Sequence, residues 1–228
     1  FNDQLHAYVD FFWEDRKDIL VDNSATLPAV TSLPSGYVNA GRVKNHGYEV
    51  TLKWEQKFGD FRYSISPNFA FVRNQVIEML EVKPMYDYLS RTGLPVGQRF
   101  GYDLFGFYEQ GKTEELYFAE YGVEMPDQGI ALKNGDAVYV DLNDDKVIDQ
   151  NDQKPLGYTD NPEITFSVNF NFQRKRLDFT MLWIGADHVS RQLNGYFRDQ
   201  FGSTNTSALT QWVADNSWTE SNPDAILP

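Results

Sequence analysis

Between Ile164 and Phe172 every second residue is apolar (Ile164, Phe166, Val168, Phe170, Phe172), and Thr165, Ser167, Asn169 and Asn171 lie between them. Side chains alternate across a strand, so this stretch has one apolar and one wet face, and a slip of one residue would exchange the two. A chain that repeats this pattern folds as sheet and separates two environments. The period recurs in residues 4–14, where Leu5, Ala7, Val9, Phe11 and Trp13 share a face, and in 47–56, with Tyr48, Val50, Leu52 and Trp54. It returns in 61–72 through Phe61, Tyr63, Ile65, Phe69 and Phe71, and in 177–186 after the 163–172 strand. Strands of this length suit a membrane crossing, which takes about 9–11 residues.

The connections are unequal. Short turns join two pairs of strands, at Lys57, Phe58, Gly59 and Asp60 and at residues 173–176. Long polar or irregular stretches fall elsewhere: residues 21–45, where Pro28, Pro34 and Gly36 discourage regular structure, residues 75–161, and the segment after Gly185. If both short turns lie at one end of the sheet, an even number of strands must separate Phe71 from Glu163, most simply none. Residues 75–161 are then one large loop, which needs strands of its own to be tolerable. The spacing predicts residues 99–108 pairing with 137–140, a bulge at Pro67, and a short helix at 207–214.

The bulk numbers remove several classes. A net charge of −13 argues against nucleic acid as partner and against electrostatic docking on anionic lipid. No run of about 18 apolar residues offers a transmembrane helix, which leaves a β-barrel open. Without Cys there are no disulfides, thiol catalysis or Cys-based zinc sites. An aromatic content of 15% requires a large core or a lipid-facing surface with interfacial belts. Two all-β architectures therefore stay open: an antiparallel segment of an outer-membrane barrel, and a secreted calcium-dependent carbohydrate-binding β-sandwich.

The sharpest local motif runs over residues 141–152. Asp141, Asn143, Asp145, Asp149 and Asp152 place side-chain oxygens at positions 1, 3, 5, 9 and 12, and Val147 offers a carbonyl at position 7. Hard oxygen donors at this spacing point to calcium. Lys146 stands where the sharp turn normally uses Gly, and Asp152 replaces the longer bidentate Glu. His6, His46 and His188 lack metal-ligand spacing and take no role. The pairs Glu14 with Asp15 and Glu114 with Glu115 read as solvated faces, and no GxSxG elbow, P-loop or GxGxxG is present, so no enzyme activity is expected. The aromatic residues crowding the large loop, Tyr102, Phe105, Tyr117 and Tyr121 among them, are expected to form a small core.

Three segments, NAGRVKNHGYEV at 39–50, GDAVYVDLNDDKVIDQND at 135–152 and WTESNP at 218–223, resemble the SusC/RagA family of TonB-dependent outer-membrane transporters, in family order and spacing. The resemblance implies part of a 22-stranded barrel of a longer protein, without the N-terminal plug or TonB box. It implies uptake of an oligosaccharide or peptide powered through TonB, with a SusD-like surface lipoprotein as lid. The long loops would be extracellular, the short turns periplasmic, the apolar rows against outer-membrane lipid, and rows such as Ser64, Ser66 and Asn68 toward the lumen. The family's acidic loop usually carries Gly at the positions of Asp144 and Lys146, a departure that puts calcium in doubt.

Overall fold

The computed structural model describes residues 4–23, 36–193 and 210–228. Its main element is an antiparallel five-stranded sheet. Strands β1 (Leu5–Asp22), β2 (Tyr37–Phe58) and β3 (Phe61–Glu78) pair in succession, then β3 pairs with β8 (Ile164–Arg174) and β8 with β9 (Leu177–Asp187). Strand β8 thus lies directly against β3, with Phe69 opposite Phe166 and Ile65 opposite Phe170. No other strand of this sheet intervenes, and residues 79–163 connect the two. The opposite end is closed by two-residue turns, whose first residues, Gly59 and Lys175, have φ of 57° and 55°.

Two expectations are corrected. Strands β1 and β2 run 18 and 22 residues, well into the stretch expected to be irregular; of that stretch, Pro28 and Pro34 fall outside the described residues. Alternation fades before the strands end because residues such as Asp15, Arg16, Lys44 and Asn45 make both faces polar, while the backbone ladder continues. Register shifts between Arg16 and Leu20 absorb the irregularity there. Pro67 makes no bulge. Thr51 opposite Asn68 and Trp54 opposite Ile65 keep one register across the gap, so the missing N–H of Pro67 interrupts pairing with β2 locally, and Pro67 still sits opposite Val168.

The chain divides into two units: Phe1–Arg99 with Gly157–Ser190, which holds the five-stranded sheet, and Phe100–Leu156 with Arg191–Pro228, the loop unit. In the loop unit β4 (Phe100–Gly101) pairs with β7 (Lys154–Pro155), and β5 (Leu104–Phe107) pairs with β6 (Ala137–Tyr139), the latter close to the expected pairing. Helix α1 (Thr113–Tyr121) ends at Gly122, whose φ of 73° lets its N–H close back onto the Phe118 carbonyl. Tyr117, Val138 and Val213 are fully buried, and Phe105 packs edge-on against Tyr117 at 4.9 Å, so the loop aromatics do make a core. The C-terminal helix α2 is observed at Gln211–Asn216, capped by the Thr210 hydroxyl; the first residues of the expected helix lie outside the described ones.

Candidate functional site

Cross-strand register assembles the alternating rows into two continuous faces. On one, Val9, Val50, Phe69 and Phe166 lie side by side across β1, β2, β3 and β8; Pro67, Val168 and Trp183 form the next row toward the short turns, and Ile65, Phe170 and Met181 the one after. Few of these side chains are buried: Trp183 is 64% exposed and Phe179 52%. Within the described residues of this unit no second sheet covers them, as a sandwich would require.

Aromatic residues on this face gather in two bands. Near the short turns Trp54, Phe58, Phe61, Tyr63, Phe172 and Phe179 form a chain of ring contacts, with centroid separations from 5.8 to 6.4 Å. Farther up, Tyr48 touches Phe11, Phe69 and Phe71 at 6.3, 5.9 and 5.7 Å. Along β3 the outer edges of the bands, Phe61 and Phe71, are ten residues or about 33 Å of strand apart, and their facing edges, Tyr63 and Phe69, are six residues or about 20 Å apart. Between the bands lie aliphatic residues together with Phe170 and Trp183, whose rings meet at 6.5 Å, and the Phe166 ring, which fills the space a Cβ on Gly185 would take.

The opposite face is polar and internally bonded. The Thr51 hydroxyl donates to Asn68 Oδ1 at 2.6 Å and Asn68 Nδ2 to Ser167 Oγ at 3.4 Å. Nearer the short turns, Thr180 Oγ1 donates to Asn171 Oδ1 at 2.9 Å and Asn171 Nδ2 to Ser64 Oγ at 3.2 Å. These neutral rungs lie where the alternation placed them. They satisfy one another while leaving lone pairs and rotatable hydroxyls for water or solute.

Where the large insertion leaves β3 and returns to β8, a cluster appears that the sequence analysis missed. Arg73 donates two hydrogen bonds to Glu163, at 2.8 and 2.7 Å, and sits over the Phe71 ring. His188 Nδ1 lies 3.1 Å from the same carboxylate, and its ring stacks on Tyr158 at 4.5 Å. The Arg73 guanidinium holds the Glu163 carboxyl below its ordinary pKa, against burial that would raise it. Opposite charges at the two ends of a long insertion between paired strands were the available signal. Glu81 anchors the outgoing chain by accepting from the Arg91 and Thr92 amides; burial raises its pKa, but these bonds leave it lowered on balance.

The acidic loop is gathered around its own amides. Asp141 accepts from the Asn143, Asp144 and Lys146 N–H groups, and Asp145 from Val147 N and Asn143 Nδ2. Asp152, fully buried, closes the loop by accepting from Leu142 and Asp149, and the Asp149 carboxylate caps the short helical turn Gln150–Asp152. Val147 bridges to Asp127 and Ile148 is half buried. The loop thus brings Asp141, Asn143 and Asp145 round one turn and engages Asp149 and Asp152 in a second. Among the described residues no group of three or more His, Asp or Glu side chains stands as a ready metal cage. Asp144 and Lys146 have φ of 60° and 70°, so the sharp turn forms without Gly.

No family model matches this sequence, and no curated protein matches it. Solved structures do. The RagAB peptide importer in its open-open state includes a chain similar to this one, with a TM-score of 0.66 at 20% identity over 100% of this chain and 23% of that chain. A RagAB peptide transporter structure gives 0.64 at 20% identity, and the closed-closed importer 0.57 at 20% identity, each covering 100% of this chain and 24% of theirs. This chain therefore spans about a quarter of the length of these neighbours and shares their fold there.

Proposed function

We propose that the five-stranded sheet is a stretch of wall from a TonB-dependent outer-membrane transporter of the SusC/RagA type. The observation that carries this reading is the two-faced sheet, apolar and aromatic from Phe61 to Phe71 on one side and hydroxyl- and amide-lined behind. Lipid would cover the first face and the aqueous lumen the second. On this reading the protein sits in the outer membrane of a Gram-negative cell, moves a nutrient rather than transforming it, and is driven through TonB. A SusD-like lipoprotein would close over the long-loop end. Similarity to chains of a peptide importer favours peptide over oligosaccharide as cargo.

Immunoblotting of fractionated source cells tests this, with an antibody against residues 135–152 and with or without protease shaving of intact cells. An outer-membrane band that loses the epitope on shaving is expected; a soluble or secreted band would overturn the reading. The outer edges of β1 and β9 have no neighbour among the described residues. Purified alone, the 228 residues are expected to aggregate without detergent, and a monodisperse monomer in plain buffer would count against the wall.

Calcium at Asp141, Asn143, Asp145, the Val147 carbonyl, Asp149 and Asp152 is a second proposal, supported by ligand order. Each carboxylate oxygen that accepts one N–H keeps a lone pair, so a cation needs rotation of Asp141 and Asp145 toward a common point and no unfolding of the loop. Isothermal titration should give a calcium heat that Asp141→Ala abolishes; no heat in the parent chain sinks the site.

A further inference from the structure

On the hydroxyl- and amide-lined face, Asp10 of β1 lies directly opposite Glu49 of β2, and farther along β2 Lys57 lies directly opposite Arg62 of β3. Alternation puts all four on this side, because their neighbours Val9, Val50, Phe58 and Phe61 belong to the apolar face. Like charges set opposite each other destabilise a strand pair. All four side chains are exposed, and among the described residues none of them makes an ion pair; Lys53 takes Glu55 and Lys175 takes Asp60 nearby. Asp178 stands two strands from Arg62, beyond Gln173, or about 10 Å away.

This face is therefore acidic toward the long-loop end and basic toward the short turns. In a chain of net charge −13, residues 53–62 and 173–178 hold six basic and three acidic side chains. Two recesses lie along the same face. One of about 340 Å³ is lined by Glu49, the Thr51, Asn68 and Ser167 rung, and Leu182 and Ile184 of β9. Leu182 is paired with Asn169 and Ile184 with Ser167, so these exposed aliphatic side chains bring apolar surface to the polar side of the sheet. The second recess, of about 370 Å³, is lined by Arg62, Glu55, Asp178 and the Ser64, Asn171 and Thr180 rung.

Spacing and sign specify the occupant. From Glu49 to Lys57 the strand advances eight residues, about 26 Å, the reach of an extended peptide of about eight residues. We propose that this face binds a peptide in transit end to end, its terminal ammonium at Asp10 and Glu49 and its terminal carboxylate at Lys57 and Arg62. The inference rests on the transporter-wall reading and sharpens its cargo. Between the ends, peptide N–H and C=O groups meet the neutral rungs, and an apolar side chain meets Leu182 and Ile184. A neutral oligosaccharide offers no charge to either pair, and a polyanion is repelled by Asp10 and Glu49.

The test expresses the full-length natural chain in its own cells and follows its outer-membrane abundance by immunoblot. Uptake, corrected for cells lacking the chain, is read with a neutral octapeptide that carries a dye on a side chain and is presented free, N-acetylated or C-amidated. The parent should import the free peptide roughly tenfold faster than either blocked form. Asp10→Asn/Glu49→Gln should erase the preference against the acetylated form alone, and Lys57→Gln/Arg62→Gln the preference against the amidated form alone. A purely structural role for the four charges would slow all three peptides alike, and that outcome overturns the inference. Equal import of free and blocked peptides by the parent also overturns it, whether or not the variants fold. A parent chain absent from the outer membrane would sink the wall reading itself, whereas a parent present there that imports none of the three peptides rejects the cargo site alone.

Discussion

Phe11 and Trp13 on the five-stranded sheet are 80% and 71% exposed, whereas Tyr117 and Val138 in the loop unit are 1% and 0% exposed. Both regions are rich in aromatic side chains, yet only the loop unit encloses one fully, Tyr117. The loop unit solves the burial problem within the chain, with the rings of Phe105 and Tyr121 packed edge-on and tilted against Tyr117. The sheet leaves it to its surroundings. A row of large apolar side chains is thus ambiguous until its covering is known, and only the loop unit carries its own.

The sharpest way to break this contrast is to truncate a side chain on the loop side. Tyr117→Ala removes a fully buried ring and the hydroxyl that accepts the Asp141 N–H at 3.1 Å. It should cost the loop unit about 3–5 kcal/mol, the usual cost for a buried aromatic. Urea unfolding followed by near-UV circular dichroism should show that cost equally in detergent and in bilayers, because the core is internal. A loss below about 1 kcal/mol, or one that depends on lipid, would show that the loop unit has no independent core.

On the sheet the matching experiment changes polarity. Phe170 sits between Ile65 and Met181, near mid-height between the two aromatic bands. Phe170→Arg should cost about 2–4 kcal/mol of folding into bilayers, whereas Ser167→Arg on the hydroxyl-lined face should cost far less. Reversible folding into vesicles measures both. Equal penalties on the two faces would mean that both meet one solvent, which would remove the distinction between wall and core.

These faces were legible because period 2 survives only where a strand divides unlike environments. From Leu5 to Trp13 and from Tyr48 to Trp54 it does so, and the register sets the two rows side by side, Leu5 opposite Trp54 and Val9 opposite Val50. Beyond Asp15 and Lys44 both faces are polar, the periodicity vanishes, and strand that is plainly present read as loop. Turn parity asked for an even number of strands between β3 and β8, and the simplest even number, none, is the one observed. Arg73, Glu163 and His188 were missed for the opposite reason: Arg73 and Glu163 are ninety residues apart, and only their opposite charges at the ends of the insertion hinted that they meet. The ligand order of 141–152 was readable, while the use of its carboxylates as amide acceptors depends on turn geometry.

That Arg73–Glu163–His188 cluster fastens the ends of the insertion, so its effect should be smaller than that of either the loop core or the apolar sheet face. The Glu163 pKa is lowered in the fold, first by Arg73. Its stabilisation is therefore present above the ordinary carboxylate pKa and is lost as pH falls through the lower folded value, below about pH 4. Glu163→Gln should cost about 1 kcal/mol at neutral pH, discounted because Arg73 is half exposed. Hydrogen exchange at the Val72 amide, which donates to the Glu163 carbonyl at 2.8 Å, reports the opening. Acid-induced opening of the same size in Glu163→Gln would show that other groups hold the junction.

The smallest effect bears on the acidic loop. Lys146 has φ of 70° without the freedom of glycine, and Asp144 has φ of 60°. Left-handed backbone costs an ordinary L residue about 1–2 kcal/mol, while Asp tolerates it through local hydrogen bonding. Gly at either site relieves that strain but adds freedom to the unfolded chain, worth about 0.5–1 kcal/mol. Lys146→Gly should therefore stabilise the loop unit by about 0.5 kcal/mol, and Asp144→Gly should be close to neutral. The Asp141 bond to the residue-146 amide at 2.8 Å survives both substitutions, because it uses backbone. If Lys146→Gly also strengthens a calcium heat, the strained turn limits metal binding; if it stabilises the loop without one, the carboxylates serve the amides alone.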